Sequence, residues 1–547
     1  MTFIRLVLRE SRSSPYKVAV MAMLAGLGNA MILAIINRSA DLANDGGAQV
    51  ADMILFAATM GIQVLAQRYV SRTTTREVEE IIHRLRKRLI SLIRQTDLTA
   101  LEGIGRSEIY AMITKETQAI SSSVPMLVNG CQSGILLVFT LAYIYVLSST
   151  AFMLTIAITA IAASTHLARI GQLRREVELS FQLENQLFER LTDLLSGYKE
   201  VKLNIRRSRE LQEHFDEVSS ASTEAKVKTQ IGISNEFLFA QSIFYLMLAA
   251  MVFVVPALSP TFSDVALKTS AAVLFLIGPI TSLVQAIPAI TMANAATDNI
   301  ERLSKTLSER IDPTATDDEV ESFARIEFQD VTFSYVDPRY GTRFSVGPFN
   351  VDVNRGEMVF ITGGNGAGKS TFLKLFTGLY RPDGGRILLD GRQLDQRRHG
   401  AYRSLISAVF TDYHLFRRLY GLPEADVSSL LRQMEIDHKV SMTGRDFDSL
   451  DFSAGQKKRL ALIVALLEDR PIIVLDEWAA DQDPIFRRKF YEELLPAFKA
   501  MGKTVVAVTH DDRYFGLADR RLHMEEGRFA PEGHDSGSHA PDQGDHA

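Results

Sequence analysis

The fold class this chain predicts is an all-α membrane domain of six helices followed by an α/β domain built around a phosphate loop. Three observations predict it. Long uncharged stretches are concentrated before Asp298, charged residues after it, and short aliphatic runs then alternate with helical ones until one of them opens into Gly363-Gly364-Asn365-Gly366-Ala367-Gly368-Lys369-Ser370. A chain of 547 residues, 46% hydrophobic and 23% charged, has room for two to four domains, which excludes a small disulfide-stapled module. Its 60 Lys+Arg against 65 Asp+Glu argue against a nucleic-acid partner, which would call for a strongly basic domain. The one cysteine, Cys131, lies in an apolar run and reads as a buried soft hydrophobe rather than a reactive thiol.

The first domain is placed at 1–310. A helix crossing about 30 Å of hydrocarbon at about 1.5 Å per residue needs about 20 mostly apolar residues. Val18 to Ile36 is uncharged over 19 residues. Thr117 to Ala168 is uncharged over 52, enough for two helices with a turn at Ser148-Ser149-Thr150. Phe237 to Ser263 gives 27, with Pro256 and Pro260 near its far end, and Thr269 to Thr297 gives 29. Met53 to Gln67 supplies only 15 and needs its flanks to reach across. The expected spans are therefore 18–36, 50–70, 120–147, 150–168, 237–256 and 270–292. Residues 1–17, 72–116 and 169–235 hold 4, 9 and 11 Lys+Arg, while the alternate loops hold only Arg38 and Lys268. The basic segments, both termini and the second domain are thus expected in the cytoplasm. Arg5, Arg9, Glu10 and Arg12 interrupt any signal-like run; Phe3 to Leu8 instead suits an amphipathic helix on the inner face. Glu77–Arg94 and Gln172–Glu217 have the composition of exposed helices, so membrane helices should continue beyond the bilayer and turn at Gly103-Ile104-Gly105 and Ser196-Gly197.

Residues 311–323, with Asp312-Pro313 and Asp317-Asp318-Glu319, read as a linker before the second domain at 324–530. Phe328–Tyr335, Glu357–Thr362, Pro471–Leu475 and Thr504–Thr509 are buried-strand runs. The glycine-rich loop stands where its chemistry needs it, after the strand Met358–Ile361 and before the helical run that Thr371 opens. Its backbone N–H groups suit ATP phosphates, Lys369 reaches the outer ones, and the Ser370 hydroxyl suits Mg²⁺. Ile472–Leu475 ends in Asp476, placed to hold Mg²⁺, and Glu477, placed to polarise the attacking water. The tail, 531–547, has almost no apolar content and reads as disordered; disorder outweighs metal binding by its histidines.

Between loop and acids lies Phe452-Ser453-Ala454-Gly455-Gln456, ahead of a helical run to Leu467. Here the chain resembles the ATP-binding cassette (ABC) transporters, whose signature reads Leu-Ser-Gly-Gly-Gln, and six helices before one cassette resemble an exporter half-transporter. The resemblance implies that Tyr335 stacks on adenine, that Asp483 and His510 join the ATP site, and that Ser453, Gly455 and Gln456 serve the ATP held by the P-loop of a second copy. It implies a homodimer with two shared ATP sites. Three departures stand out. Thr411 occupies the place of the usual coupling glutamine in Val409-Phe410-Thr411-Asp412, which would pass Mg²⁺ or water contact to Thr411 or Asp412. Ala454 replaces a glycine, and Trp478-Ala479-Ala480-Asp481-Gln482-Asp483-Pro484 replaces the commoner run after the acids. The last, with Phe410-Thr411-Asp412, is similar to bacterial exporters of cyclic peptides and peptide siderophores. The resemblance therefore implies export of a peptide-type compound (cyclic, lasso, lipopeptide or siderophore precursor) across a bacterial inner membrane, in contact with membrane lipid and with periplasmic or outer-membrane components. The rivals are a lipid or hydrophobic-drug exporter and an ATP-gated regulator that moves nothing uphill.

Overall fold

The computed structural model describes residues 2–11, 15–44, 50–258, 266–312, 322–336, 343–395, 398–422 and 427–531. Most of the expected linker and nearly all of the tail lie outside them. The chain divides into two compact units, one of residues 1–91 and 107–306, the other of 92–106 and 307–547.

Six helical segments of the first unit are long and apolar enough to cross a membrane: Tyr16–Ser39, Val50–Gln95, Glu108–Leu147, Ser149–Ser196, Ile205–Val254 and Lys268–Glu309. Before them comes α1 (Thr2–Glu10), which buries Phe3 and Leu6. The first two spans lie in α2 (Pro15–Asn44) and α3 (Val50–Gln95). After the short α4 (Leu98–Ile104) and α5 (Arg106–Ala111), the third occupies α6 (Thr117–Leu147). The chain then turns at Ser148, whose side chain caps α7 (Ser149–Ser196). This is the turn that splits the 52-residue apolar stretch. Gly197 separates α7 from α8 (Tyr198–Leu203), and Asn204 caps α9 (Ile205–Ala249). The membrane part closes with α10 (Val255–Leu258), α11 (Ala266–Leu274) and α12 (Ile277–Glu309).

Lipid is as apolar as leucine, so close packing rather than hydrophobicity drives such helices together. At Gly130 of α6 an added Cβ would stand 2.5 Å from Ala286 Cβ of α12, which only a hydrogen in that place allows. Beyond the apolar stretches α7 and α9 run side by side, joined by Lys226–Glu184 at 3.0 Å and by the Thr229 hydroxyl donating to Glu176 O at 3.2 Å. Cys131 is exposed on α6, not buried as its apolar surroundings suggest. The run it sits in is a helix face rather than a core.

The second unit is α/β. A four-stranded antiparallel sheet has the order β2-β1-β4-β5, with β1 Arg325–Val336, β2 Arg343–Asn354, β4 Gly384–Leu389 and β5 Arg392–Gln393. The six-stranded sheet runs β12-β11-β3-β10-β9-β6. In it β3 (Met358–Gly363), β6 (Ile406–Val409), β9 (Ile472–Asp476), β10 (Thr504–Val508) and β11 (Arg520–Glu525) are parallel, with β12 (Arg528–Phe529) antiparallel at the edge. Strands β7 (Met442–Thr443) and β8 (Asp446–Phe447) form a separate pair. Every residue of β9 and β10 is buried, the reason these strands read as unbroken aliphatic runs. Parallel strands end together, so the carboxyl ends of β3, β9 and β10 deliver the phosphate loop, Asp476-Glu477 and His510 to one edge.

Candidate nucleotide site

The phosphate loop leaves β3 at Gly363, whose φ of +141° suits only glycine; a Cβ there would meet Met524 O at 2.2 Å. The loop leads into α13 (Lys369–Phe376). Lys369 is only 5% exposed and its Nζ donates to the carbonyls of Gly363 and Gly364 at 3.0 and 2.9 Å. The ammonium is thus held at the loop's rim by acceptors that phosphate oxygens would outcompete.

Asp476 ends β9, is buried, and its Oδ1 has no hydrogen-bond partner. Burial pushes its carboxyl above the usual range, the neighbouring Ser370 hydroxyl opposes this, and the charge of Glu477 adds to it. Thr411 Oγ1 donates to the other oxygen at 3.4 Å. An orphaned buried carboxylate oxygen beside a serine hydroxyl fits a divalent cation, and Ser370 and Asp476 are the residues that would hold it. Of Thr411 and Asp412, Thr411 is the one that touches Asp476; Asp412 is exposed.

Glu477 adopts φ +48°, a strained conformation for a non-glycine residue and one that recurs at functional sites. Its Oε1 lies 3.1 Å from His510 Nε2 and 3.9 Å from Lys369 Nζ. Tyr335 is exposed on β1, two residues beyond Phe333, which pairs with Val346, whose side chain approaches Gly368. Tyr335 therefore stands roughly 7 Å along β1 from Phe333.

Other predicted residues serve their surroundings. Ser453 and Gln456 form a capping box at the start of α16 (Ala454–Leu467), which follows α14 (His399–Arg403) and α15 (Ser428–Gln433). Among the described residues no hydrogen bond or ion pair joins Ser453, Gly455 or Gln456 to the phosphate loop. A Cβ on Gly455 would meet Asp481 O at 2.6 Å, whereas Ala454 is exposed, so its methyl is accommodated. Asp483 caps α17 (Pro484–Lys489) through Ile485 N and Phe486 N and pairs with Arg459 at 2.7 Å. These hydrogen bonds, Phe486 N first, and the Arg459 charge hold its carboxyl below the usual range.

Several supporting groups belong to no motif. Lys458 Nζ donates to Glu477 O at 2.7 Å and pairs with Asp481 at 2.8 Å, fastening the strained residue; its burial is visible only in the fold, since in sequence it is one of three adjacent cations, Lys457-Lys458-Arg459. The hydroxyl of Tyr491, in the π-helical segment Phe490–Leu494 that joins α17 to α18 (Leu495–Ala500), bonds to Thr509 at 2.6 Å and Asp511 at 2.8 Å, bracketing His510. Glu102 of α4 accepts from Lys374 of α13 at 2.9 Å and from the Tyr380 hydroxyl at 2.5 Å. The helix that the phosphate loop opens is therefore gripped by a segment remote in sequence.

A phosphate loop, a buried acid and a glutamate–histidine pair on a chain with six apolar spans define a membrane-embedded ATPase. The family model for the ABC transporter matches residues 346–480. The chain is 34% identical over 470 residues to the ATP-binding protein SyrD of Pseudomonas syringae pv. syringae, covering 82% of each. It is 26% identical over 454 residues to the ATP-dependent lipid A-core flippase of Paraburkholderia xenovorans, 79% of this chain and 74% of that protein. The structure of a bacterial Atm1-family ABC exporter with ATP bound matches with a TM-score of 0.75, covering 95% of both chains at 20% identity, a likeness of fold. The chain belongs to the ABC transporter family. It is a multi-pass ABC transporter with an exporter-type fold that binds ATP and couples its hydrolysis to transport.

Proposed function

We propose that the protein exports a peptide-type compound from the cytoplasm across a bacterial inner membrane, working as a homodimer with the cassettes and both termini in the cytoplasm. The single observation that carries the ATP chemistry is the convergence of Lys369, Asp476, Glu477 and His510 at one sheet edge. Lys369 exchanges the Gly363 and Gly364 carbonyls for phosphate oxygens. Glu477 accepts a proton from the attacking water, and His510 orients that carboxylate. Ser370 and Asp476 would hold a magnesium ion, which would supply charge neutralisation at the phosphates. Among the described residues, Ser453, Gly455 and Gln456 make no hydrogen bond or ion pair with the phosphate loop of their own chain, which favours their closing on the ATP of a second copy. ATP binding then favours the closed pair and hydrolysis releases it.

Peptide cargo rests on the Trp478–Pro484 run and Phe410-Thr411-Asp412. Trp478 itself is a core residue, its ring tilted against Phe490 with centroids 4.4 Å apart and its Nε1–H donating to Lys458 O, so it marks the subfamily without touching cargo. A lipid cargo is the second reading, favoured by the likeness to the lipid A-core flippase. Inside-out vesicles separate the two. They should accumulate compact cyclic peptides with ATP and lose that uptake with Glu477→Gln. Vesicles that flip fluorescent lipids and take up no peptide would overturn the cargo assignment, and ATP hydrolysis without movement of either would favour a regulator.

A further inference from the structure

Two arginines in the second span have nothing to answer their charge. Arg68 and Arg72 are exposed on α3, and among the described residues neither has a hydrogen bond or an ion pair. Further along the same helix Arg76 pairs with Glu80 at 3.0 Å, Arg84 donates to Glu10 O at 2.7 Å, and Arg88 meets Glu10 at 3.0 Å. The residues three and four places from Arg68 are Val64, Leu65, Ser71 and Arg72; those from Arg72 are Arg68, Tyr69, Thr75 and Arg76. No carboxylate is therefore within reach along α3, and like charges recur at the four-residue spacing where they repel. The next acids, Glu77, Glu79 and Glu80, are engaged by Ser11, Ser121 and Arg76.

Both arginines line a recess of about 600 Å³ between α3 and α6, with Gln67 and Ser71 beside them, Asn129 opposite, and no acid in its wall. Depth decides what can enter it. With Val50 and Leu147 at one face of the hydrocarbon, a rise of about 1.5 Å per residue sets Arg68 and Asn129 roughly 27 Å in and Arg72 roughly 33 Å. The three straddle the far boundary of a layer about 30 Å thick, the level of lipid phosphates. Tyr69, between the arginines and 38% exposed, is the aromatic that such a boundary favours. Guanidinium forks match phosphate oxygens two at a time, and Gln67, Ser71 and Asn129 supply further donors. Val64 lines the recess one turn deeper than Arg68, on the side where acyl chains begin.

We propose that this recess binds the phosphate head of an anionic phospholipid, held by Arg68 and Arg72. Basic recesses between membrane helices at this level recognise such heads. The assignment holds whatever cargo moves; only the naming of the leaflet, the inner one, rests on the orientation proposed above.

The test is native mass spectrometry of the full-length protein in a neutral detergent, titrated with dioleoylphosphatidylglycerol or dioleoylphosphatidylcholine. The first phosphatidylglycerol should bind roughly tenfold or more tighter than phosphatidylcholine. Arg68→Gln with Arg72→Gln should weaken phosphatidylglycerol roughly 10- to 30-fold, each arginine contributing roughly fivefold, while the pair of lysine replacements should restore most of the affinity. ATP retention in the same samples reports that each variant is folded. Arg76→Gln, outside the recess and already paired, should bind as wild type does. An equal loss in Arg76→Gln would mean attraction to a basic segment rather than a site, and would overturn the proposal. So would equal affinity for the two lipids, displacement of the lipid by excess inorganic phosphate, or its displacement by an acidic cyclic peptide, which would give the arginines to cargo. Because the measurement is made in detergent and without transport, its outcome is independent of the orientation and of the export reading, which reporter fusions and vesicle uptake test separately.

Discussion

Gly455→Ala is a small change with a large predicted consequence. The new Cβ would lie 2.6 Å from Asp481 O, below any real Cβ contact, and the obstacle is backbone. Asp481 cannot give way easily: it ends the tight turn Trp478–Asp481, and its carboxylate is held by Lys458 at 2.8 Å. Overpacking of this kind costs about 1–3 kcal/mol, and the upper part of that range applies where backbone must move. Alanine returns about 1 kcal/mol of helix propensity, leaving a net loss of about 1–2 kcal/mol. For a domain of this size that lowers Tm by roughly 2–8 °C. Thermal unfolding of the full-length protein without nucleotide reads the effect apart from any role of Gly455 at a shared ATP site. Ala454→Gly is the control, since its methyl is exposed and its removal costs only propensity. A Gly455→Ala variant that melts at or above the wild-type temperature, as propensity alone would give, would refute the steric reasoning.

Lys369→Ala should weaken ATP binding roughly 10- to 100-fold, measured by equilibrium binding, because a charge-assisted contact to phosphate is lost. Trp478→Ala should destabilise the cassette by about 3–5 kcal/mol in a denaturant titration, as a fully buried ring packed against Phe490 is removed. Asp312 tests the pH behaviour. Burial raises its pKa, but Arg403 and Arg381 outweigh that and hold it below the ordinary 3.8. Its stabilisation is therefore present above pH 3.8 and lost as pH falls through the lower folded value. Asp312→Asn should lower Tm near neutral pH, and the gap to wild type should close as the medium is acidified below that value.

The parts of the molecule legible in its sequence are those whose physics is local. A phosphate loop needs its glycines, lysine and serine in one short run after a strand, so Gly363–Ser370 declares itself. Six spans follow from length and apolarity, and the turn at Ser148 from three small polar residues. Contacts across long separations leave no such trace. Nothing near Glu102 announces that it meets Lys374 and Tyr380, 272 and 278 residues away. The Tyr491–Thr509–Asp511 bracket around His510 likewise exists only once α17 and α18 fold against β10. Asp483 shows the opposite limit: read as part of the ATP site, its carboxylate caps α17 and pairs with Arg459, a local use that the motif alone conceals. Gly455, read through the signature, has a steric reason within its own chain as well, visible only when Asp481 is in place.

In the proposed function, the cluster at the ends of β3, β9 and β10 hydrolyses ATP with Glu477 as the base. The direct measurement is turnover and bound nucleotide together, on wild type and Glu477→Gln purified in nanodiscs with radiolabelled ATP and Mg²⁺. The amide is nearly isosteric but a poor proton acceptor, so the variant should retain ATP while hydrolysis falls by a factor of roughly 10² or more. Hydrolysis at the parental rate by Glu477→Gln would contradict the assignment of the base and with it the account of the site.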